Sequence, residues 1–514
     1  MLRFAVQTSS ENAATIDIAH AYLLAANDVA LSGKIRLGKN GLECKPETRQ
    51  AAAINLECEL KDMGRLALST CLLEQRDEPY ALMLELARHR IKLFIAKCED
   101  WQIWDHPAAA DALSRWNEAR LFFTAAMTTQ DAGQADALSL KALIAGLKAS
   151  EMLAVAQAQV GLHRRFGVKA GSKMILGVRV DPRVVPASGA ASAQAFDLIS
   201  IPLSWAQIER APGKYDFSSV TPWFDWAAKS GKRILAGPVV DLRPEMVPPW
   251  IAQKRGDFGA LRDGVWNFCG AVGRELAGKT GMWNIASGIN DNGWWNLDLG
   301  QMVEISRRVV VGLRQARKGV PTLLEIPEPF GHRVASREGA ITPRALVDAL
   351  VTDGIHLDCL MIQLLVGEPG PAQLTRDLLE LSSLLDSYRP LRKSIFVDLG
   401  APSSPAATTA GYWRTPWSAK SQSVWASRMF SIAMSKSHVG MVLWESLMDV
   451  APTASRNGAV DEKQIAKGVL KSIVSLRQSL AEPIGPWKPL DSPSPARTAA
   501  TPIDAQGAPL DAPK

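Results

Sequence analysis

From Lys173 onward, short apolar runs alternate with amphipathic stretches, and the runs number eight. They are Met174–Val178, Leu198–Leu203, Arg233–Val240, Met282–Ile289, Thr322–Ile326, Cys359–Leu365, Ser394–Leu399 and Gly440–Leu447. Runs this short read as buried strands, while the stretches between them place apolar residues at helical spacing. Helices are expected at 221–231, 259–279, 299–318, 343–353, 371–388, 421–436 and 463–480. Eight strands, each followed by a helix or a loop plus helix, is the count of a closed (β/α)8 TIM barrel. A doubly wound open sheet would carry a Gly-rich phosphate loop after its first strand, and none is present.

The chain ahead of the barrel reads in two parts. Ile54, Leu56, Cys58 and Leu60 alternate with Asn55, Glu57 and Glu59, the period-two pattern of a strand. Asn40-Gly41 between Ile35/Leu37 and Leu42/Cys44 marks a hairpin turn. Residues 1–78 therefore read as a small antiparallel β unit. Beyond Pro79, residues 80–98, 107–129 and 135–166 are rich in Ala, Leu, Glu, Lys and Arg, with Leu82, Leu86 and Leu93 near one face. Residues 79–168 read as an α-helical segment, and the cluster Arg88, His89, Arg90 and Lys92 as its solvated face. The barrel is expected over 169–481. Pro, Ala, Ser and Asp dominate 482–514, which reads as a disordered tail.

Composition narrows function by exclusion. The formal charge of +6 is spread along the chain with no block of basic residues, so no nucleic-acid partner is expected. No stretch approaches a membrane span in length, and the first residues lack a signal-peptide pattern, so no membrane partner and a cytoplasmic location are expected. The six cysteines form no CxxC pair, HExxH is absent, and no dinucleotide fingerprint occurs. Neither a metal nor a cofactor is expected. Tryptophan is abundant, 16 against 5 Tyr. Indoles mostly fill cores, but their faces also stack on sugar rings.

Several stretches within 173–480 resemble one family. They are Trp205-Ala-Gln-Ile-Glu-Arg-Ala-Pro-Gly-Lys-Tyr-Asp-Phe217, Gly237-Pro238 through Pro248-Pro249-Trp250, Trp283-Asn-Ile-Ala-Ser-Gly288, and Val442-Leu-Trp-Glu-Ser-Leu447 with Gly458-Ala-Val-Asp461 after it. Together with Gln363 they resemble glycoside hydrolase family 10, the endo-β-1,4-xylanases. The resemblance implies a barrel, a carbohydrate ligand and a pair of catalytic glutamates. It also shows where this chain departs. The family's acid/base glutamate falls at Gly288 and the asparagine before it at Ser287. On strand 7 the only acid is Asp398. The strand-2 Glu-Asn pair falls near Ser200-Ile201, the strand-3 histidines at Pro238 and the Asp241 neighbourhood, and the strand-6 histidine at Leu365. Gly288 supplies neither a proton nor a charge, so a family-type xylanase mechanism is not expected.

Other acids stand near strand ends: Asp241, Asp291, Glu325, Glu328, Glu368, Glu445 and Asp449. Strands 5 and 8 are three steps apart around a barrel, as strands 4 and 7 are. Glu328 and Glu445 therefore become candidate catalytic residues alongside Asp398, with salt bridges to Arg333 or Arg414 as the alternative role. Trp205, Asp241, Trp250, Asn290, Trp294, Gln363, Trp413 and Trp444 are the candidate substrate-binding residues. Trp295, Tyr412 and Trp417 add to an aromatic inventory after strands 4 and 7, and His332 follows strand 5. The leading expectation is a divergent glycoside hydrolase. The alternative is a non-catalytic glycan-binding or scaffold protein on the same barrel, and a barrel enzyme of another reaction class comes third. A protein partner for the N-terminal region is left open.

Overall fold

The computed structural model describes residues 1–6, 14–26, 29–38, 41–168, 174–330, 339–367, 374–405, 410–450 and 456–488. Eight parallel strands close into a barrel: Ile175–Arg179, Leu198–Ile201, Arg233–Ala236, Met282–Ser287, Thr322–Ile326, Cys359–Leu365, Ser394–Gly400 and Val439–Trp444, here barrel strands 1 to 8. Closure is direct, since strand 8 pairs with strand 1 through Met441↔Ile175 to Trp444↔Val178. All eight expected runs become strands. Seven expected helices form; five lie within about three residues of the expected bounds, while 371–388 narrows to Leu378–Ser387 and 463–480 to Gly468–Ser479. An eighth, Pro186–Ala193, fills the first crossover; its Ala-Ser-Gly sequence carries no apolar period that would announce it.

Side chains alternate along each strand, and the inward set is layered. Leu198, Leu235, Leu323, Met361, Phe396, Met441 and Leu443 form an apolar plug inside the barrel. Gly177 completes it, because a Cβ there would lie 2.4 Å from Leu443 Cδ1. Two residues further along the same faces, the composition turns polar: Arg179, Ser200, Asn284, Glu325, Gln363, Asp398 and Glu445. This polar layer lies at the C-terminal ends of the strands.

The N-terminal part forms two sheets. One orders Gly33–Gly38, Gly41–Pro46, Leu2–Ala5 and Tyr80–Ala81. The expected hairpin pairs Ile35 with Cys44 and Leu37 with Leu42; Asn40 lies outside the described residues. Gly41 has φ +115°, and any side chain there would strike the Phe4 carbonyl. The second sheet contains Thr15–Leu24, Ala53–Leu60 and Gly64–Ser69, and its edge is completed by Tyr412–Trp413 from the loop after barrel strand 7. In this sheet Asn55 and Glu57 are buried along with Leu56 between them.

Three helices follow: α1 (Leu82–Trp101), α2 (Ala110–Thr128) and α3 (Ala132–Phe166). α3 is 35 residues long and buries small side chains on most sides, among them Ala142, Ala145, Gly146, Ala149 and Ala154. It lies between α1 and α2 on one side and the barrel helices Leu378–Ser387 and Ala419–Ser435 on the other. A Cβ on Gly161 would sit 2.9 Å from Ser435 Cβ, so glycine permits the closest approach. The basic cluster on α1 is only partly a solvated face. Arg88 is exposed, but Arg90 is buried and pairs with Asp377 at 2.8 Å. One apolar cluster runs continuously from Leu2 to Leu480. The first part of the expected tail packs along the end of α3, where Ile484 and Gly485 bond to Phe166 and Gly167; residues 489–514 lie outside the described set. Among the described residues no helix is long and apolar enough to cross a membrane.

Candidate functional site

The polar layer at the barrel mouth converges on one guanidinium. Arg179, at the end of barrel strand 1, reaches Asp398 of strand 7 at 2.5 Å and Glu325 of strand 5 at 3.5 Å through Nη2, and Glu445 just past strand 8 at 3.3 Å through Nε. Asp398 and Glu325 share one nitrogen, so their nearest oxygens can be no further apart than those two contacts end to end. Gln363 Nε2 donates to Asp398 at 3.2 Å. Asn284 Nδ2 and Ser287 Oγ donate to Glu325, the latter at 3.2 Å. Asp398 and Glu325 are buried, whereas Glu445 keeps 24% of its side chain exposed and is the member of the cluster that solvent reaches.

Three carboxyls around one cation cannot all be ionised cheaply in a buried site. Burial pushes the Glu445 carboxyl well above the usual carboxylate range; Arg179 pulls it back, while Asp398 and Glu325 push it further up. Glu325 is also raised, chiefly by burial, with Arg179 opposing and Asp398 adding. Burial works against the charge on Arg179, but its three acidic neighbours hold its pKa above the arginine norm. The cluster therefore combines a carboxyl biased toward its protonated form with an ion-paired carboxylate. Among the described residues Ser200 Oγ, Asn284 Oδ1 and Asp398 Oδ1 are buried without a hydrogen-bond partner, an arrangement that favours an external donor or acceptor.

Beside the cluster lies a pocket of about 290 Å³ over strands 3 and 4, lined by Arg243, Glu245, Gly288, Asp291, Trp294 and Trp295 among others. Arg243 connects the two, since its guanidinium grips buried Asp241 at 2.9 and 3.0 Å. Gly288 has φ +61° and forms part of the pocket wall.

The expected site residues distribute unevenly. Asp398, Glu445 and Gln363 meet at the mouth, and Asp241 stands next to them. Trp294 lines the adjoining pocket, edge-on to Trp295. Asn290 is buried and pins the following loop by bonding the Ile341 carbonyl at 3.1 Å. Glu328 sits just past strand 5; no hydrogen bond or ion pair among the described residues joins it to Arg179, Asp398 or Glu445. Trp444 is buried against Phe430 and donates to the Asn457 carbonyl. Trp413 is buried under the N-terminal sheet, where it and Arg414 bond to Glu151 of α3. Trp417 is buried too, and Tyr412 donates to Glu59 of the N-terminal sheet. The loop after strand 7 is thus committed to docking the N-terminal sheet. Arg333, His332 and Glu368 lie outside the described residues. Among the described residues no group of three or more His, Cys, Asp or Glu side chains is placed to hold a metal ion.

Trp205 and Trp250 belong to a different feature. Buried Glu209 accepts from Trp205 Nε1 at 2.7 Å and from Gly213 N at 2.8 Å, while its carbonyl accepts from Trp250 Nε1 at 3.1 Å. Tyr215 also bonds the Glu209 carboxylate, and its phenol is raised to about 12, first by burial and then by that neighbour. The Trp-x-x-x-Glu segment therefore ties a structural knot on the barrel's flank, with Trp205 stacked on Phe268. Arg179 is the mouth residue that sequence reading did not single out, and Glu325 was one acid among several. The signal was available: residues 175, 177 and 179 share a face, and a charge ending an apolar barrel strand points into the C-terminal mouth.

No protein-family model matches the sequence, and no curated protein matches it. Among solved structures, the chain is similar to xylanase 10B from Thermotoga petrophila RKU-1 in complex with xylobiose, at 12% identity and TM-score 0.46 over 62% of this chain and 97% of that one. It is also similar to xylanase10C from Cellvibrio japonicus, at 12% identity and TM-score 0.48 over 60% of this chain and 71% of that one. A third is the intracellular xylanase TsXylA from Thermoanaerobacterium saccharolyticum, as a mutant with xylotetraose, at 14% identity and TM-score 0.44 over 61% of this chain and 98% of that one.

Proposed function

We propose that the barrel mouth is a carbohydrate site and that the protein is a divergent glycoside hydrolase. The observation that carries this reading is the convergence of Asp398, Glu325 and Glu445 on Arg179 at the C-terminal end of a closed barrel. Glycosidic cleavage needs one protonated and one ionised carboxyl close together. Glu445, raised and the least buried of the three carboxyl residues, is suited to donate a proton to a leaving oxygen. Asp398, ion-paired to Arg179 and held by Gln363, is suited to the nucleophile or base role. Trp294 in the adjoining pocket offers a face for a sugar ring, and Asp241 with Arg243 offers hydrogen bonds to its hydroxyls.

Glycan binding without cleavage is the second reading. It is favoured by Arg179, which ion-pairs one oxygen of Asp398, and by Gly288, which stands where the resemblance places an acid/base glutamate.

Turnover of a panel of aryl glycosides tests both. Under the first reading Glu445→Gln and Asp398→Asn each lose about 10²-fold or more in kcat/KM. A larger loss in Glu328→Gln than in Asp398→Asn would return the acid pair to Glu328 and Glu445. Oligosaccharide binding with no turnover in the wild type selects the second reading.

A further inference from the structure

The knot around Glu209 builds a groove that the mouth does not use. It lies on the flank of the barrel, against the outer surfaces of helices Phe258–Leu276 and Leu299–Ala316, and encloses about 550 Å³. Its aromatic walls are Tyr215, Trp250 and Trp266. Two of them are fixed before any ligand arrives: Trp250 by its bond to the Glu209 carbonyl and its edge-on contact with Trp205, Tyr215 by the Glu209 carboxylate. Trp266 is backed by Arg308 and Gly312, one helical turn apart on the second helix. Asn267 and Gln315 bring planar amides to the rim. A side chain at Gly312 would press on Cys269 and narrow the floor.

The charges of this lining cancel: Lys254 and Arg274 stand against Glu209 and Asp263. An anion therefore has no advantage here. Rigid aromatic faces, neutral amides and a volume in the range of small-molecule sites match the apolar C–H faces and equatorial hydroxyls of a short neutral saccharide. We propose that this groove is a second saccharide-binding site, separate from the mouth and without catalytic function. The choice of ligand rests on the carbohydrate reading of the mouth; the groove itself stands on its own residues.

The test uses the full chain carrying Asp398→Asn, titrated with xylohexaose and with cellohexaose by calorimetry and saturation-transfer NMR. Binding of at least one hexamer is expected to persist in this background. Adding Trp266→Ala is expected to weaken it about tenfold, the scale of losing an aromatic anchor. Asn267 is exposed, so Asn267→Ala leaves folding intact and is expected to weaken binding as well. Unchanged affinity for both hexamers in both variants overturns the proposal, as does a wild-type protein that binds neither. The two readings fail separately. Aryl glycoside turnover that is lost in Glu445→Gln and kept in Trp266→Ala sustains the mouth whatever the groove does. Hexamer binding lost in Trp266→Ala, in a protein without any turnover, sustains the groove.

Discussion

Arg179 is the residue on which the mouth depends. Among the described residues its guanidinium is the one cation in direct contact with Asp398, Glu325 and Glu445. Arg179→Met would leave three carboxyls facing each other in a buried site. Removing one partner of a buried ionic cluster costs about 3–5 kcal/mol. Urea denaturation is expected to show a loss of that size, and Arg179→Lys is expected to recover only part of it, because an ammonium cannot present Nε and Nη2 in two directions. A loss below about 1 kcal/mol for Arg179→Met would mean that the carboxyls are neutral without it. This residue also shows where sequence reading stopped. The acids were visible as acids near strand ends, and Asp398 and Glu445 were named from them, with Gln363 named from the family resemblance. What brings them together is an inward-facing charge at the end of strand 1; the shared face of 175, 177 and 179 marks it as inward, but which acids it gathers depends on strands 5, 7 and 8 and is not local.

At the scale of elements, strands were far more legible than loops. Each apolar run from Met174 to Leu447 became a strand because length and flanking polarity are local properties. The destination of Trp413 is not local. Its partners are Gly64 on an N-terminal strand and Glu151 on α3, hundreds of residues earlier. A tryptophan in a loop after a barrel strand looks the same whether it faces a ligand or a second sheet. Trp413→Ala removes a buried indole and one hydrogen bond to Glu151, a change worth about 3–5 kcal/mol. Limited proteolysis is expected to cut residues 410–418 faster in the variant, and unchanged cleavage would place the docking energy elsewhere. The α3 seam makes a second prediction. Gly161→Leu would force a side chain into Ser435 where a Cβ alone lies 2.9 Å away. Overpacking of this kind costs about 1–3 kcal/mol, read as a lowered Tm.

The whole molecule joins these parts through one apolar core and through a sheet built from N-terminal strands and the loop after barrel strand 7. Calorimetry is therefore expected to give one cooperative transition; two resolved transitions would show that the barrel and the N-terminal part melt apart. The mouth adds a pH dependence with a definite sign. Glu325 and Glu445 have folded pKa values above the usual carboxylate value, so the folded chain holds their protons more tightly than the unfolded chain. Their contribution is fully present below the ordinary carboxylate pKa and is lost as pH rises through the raised folded values. Relative to wild type, Glu445→Gln is expected to gain Tm between pH 4 and pH 8, by about 2 °C or more. A gain in the opposite direction would mean that Glu445 is ionised and stabilising.

The edge strand Tyr412–Trp413 has a bearing on biosynthesis. Strand Gly64–Ser69 emerges from the ribosome early, yet the segment that covers its edge emerges only after seven barrel strands have been translated. Throughout that interval the nascent chain carries an unpaired sheet border, the kind of surface that recruits stray strands. Slow translation or high expression would lengthen the exposure, and holdase chaperones are expected to raise the yield of properly assembled protein most when supplied during synthesis rather than afterwards.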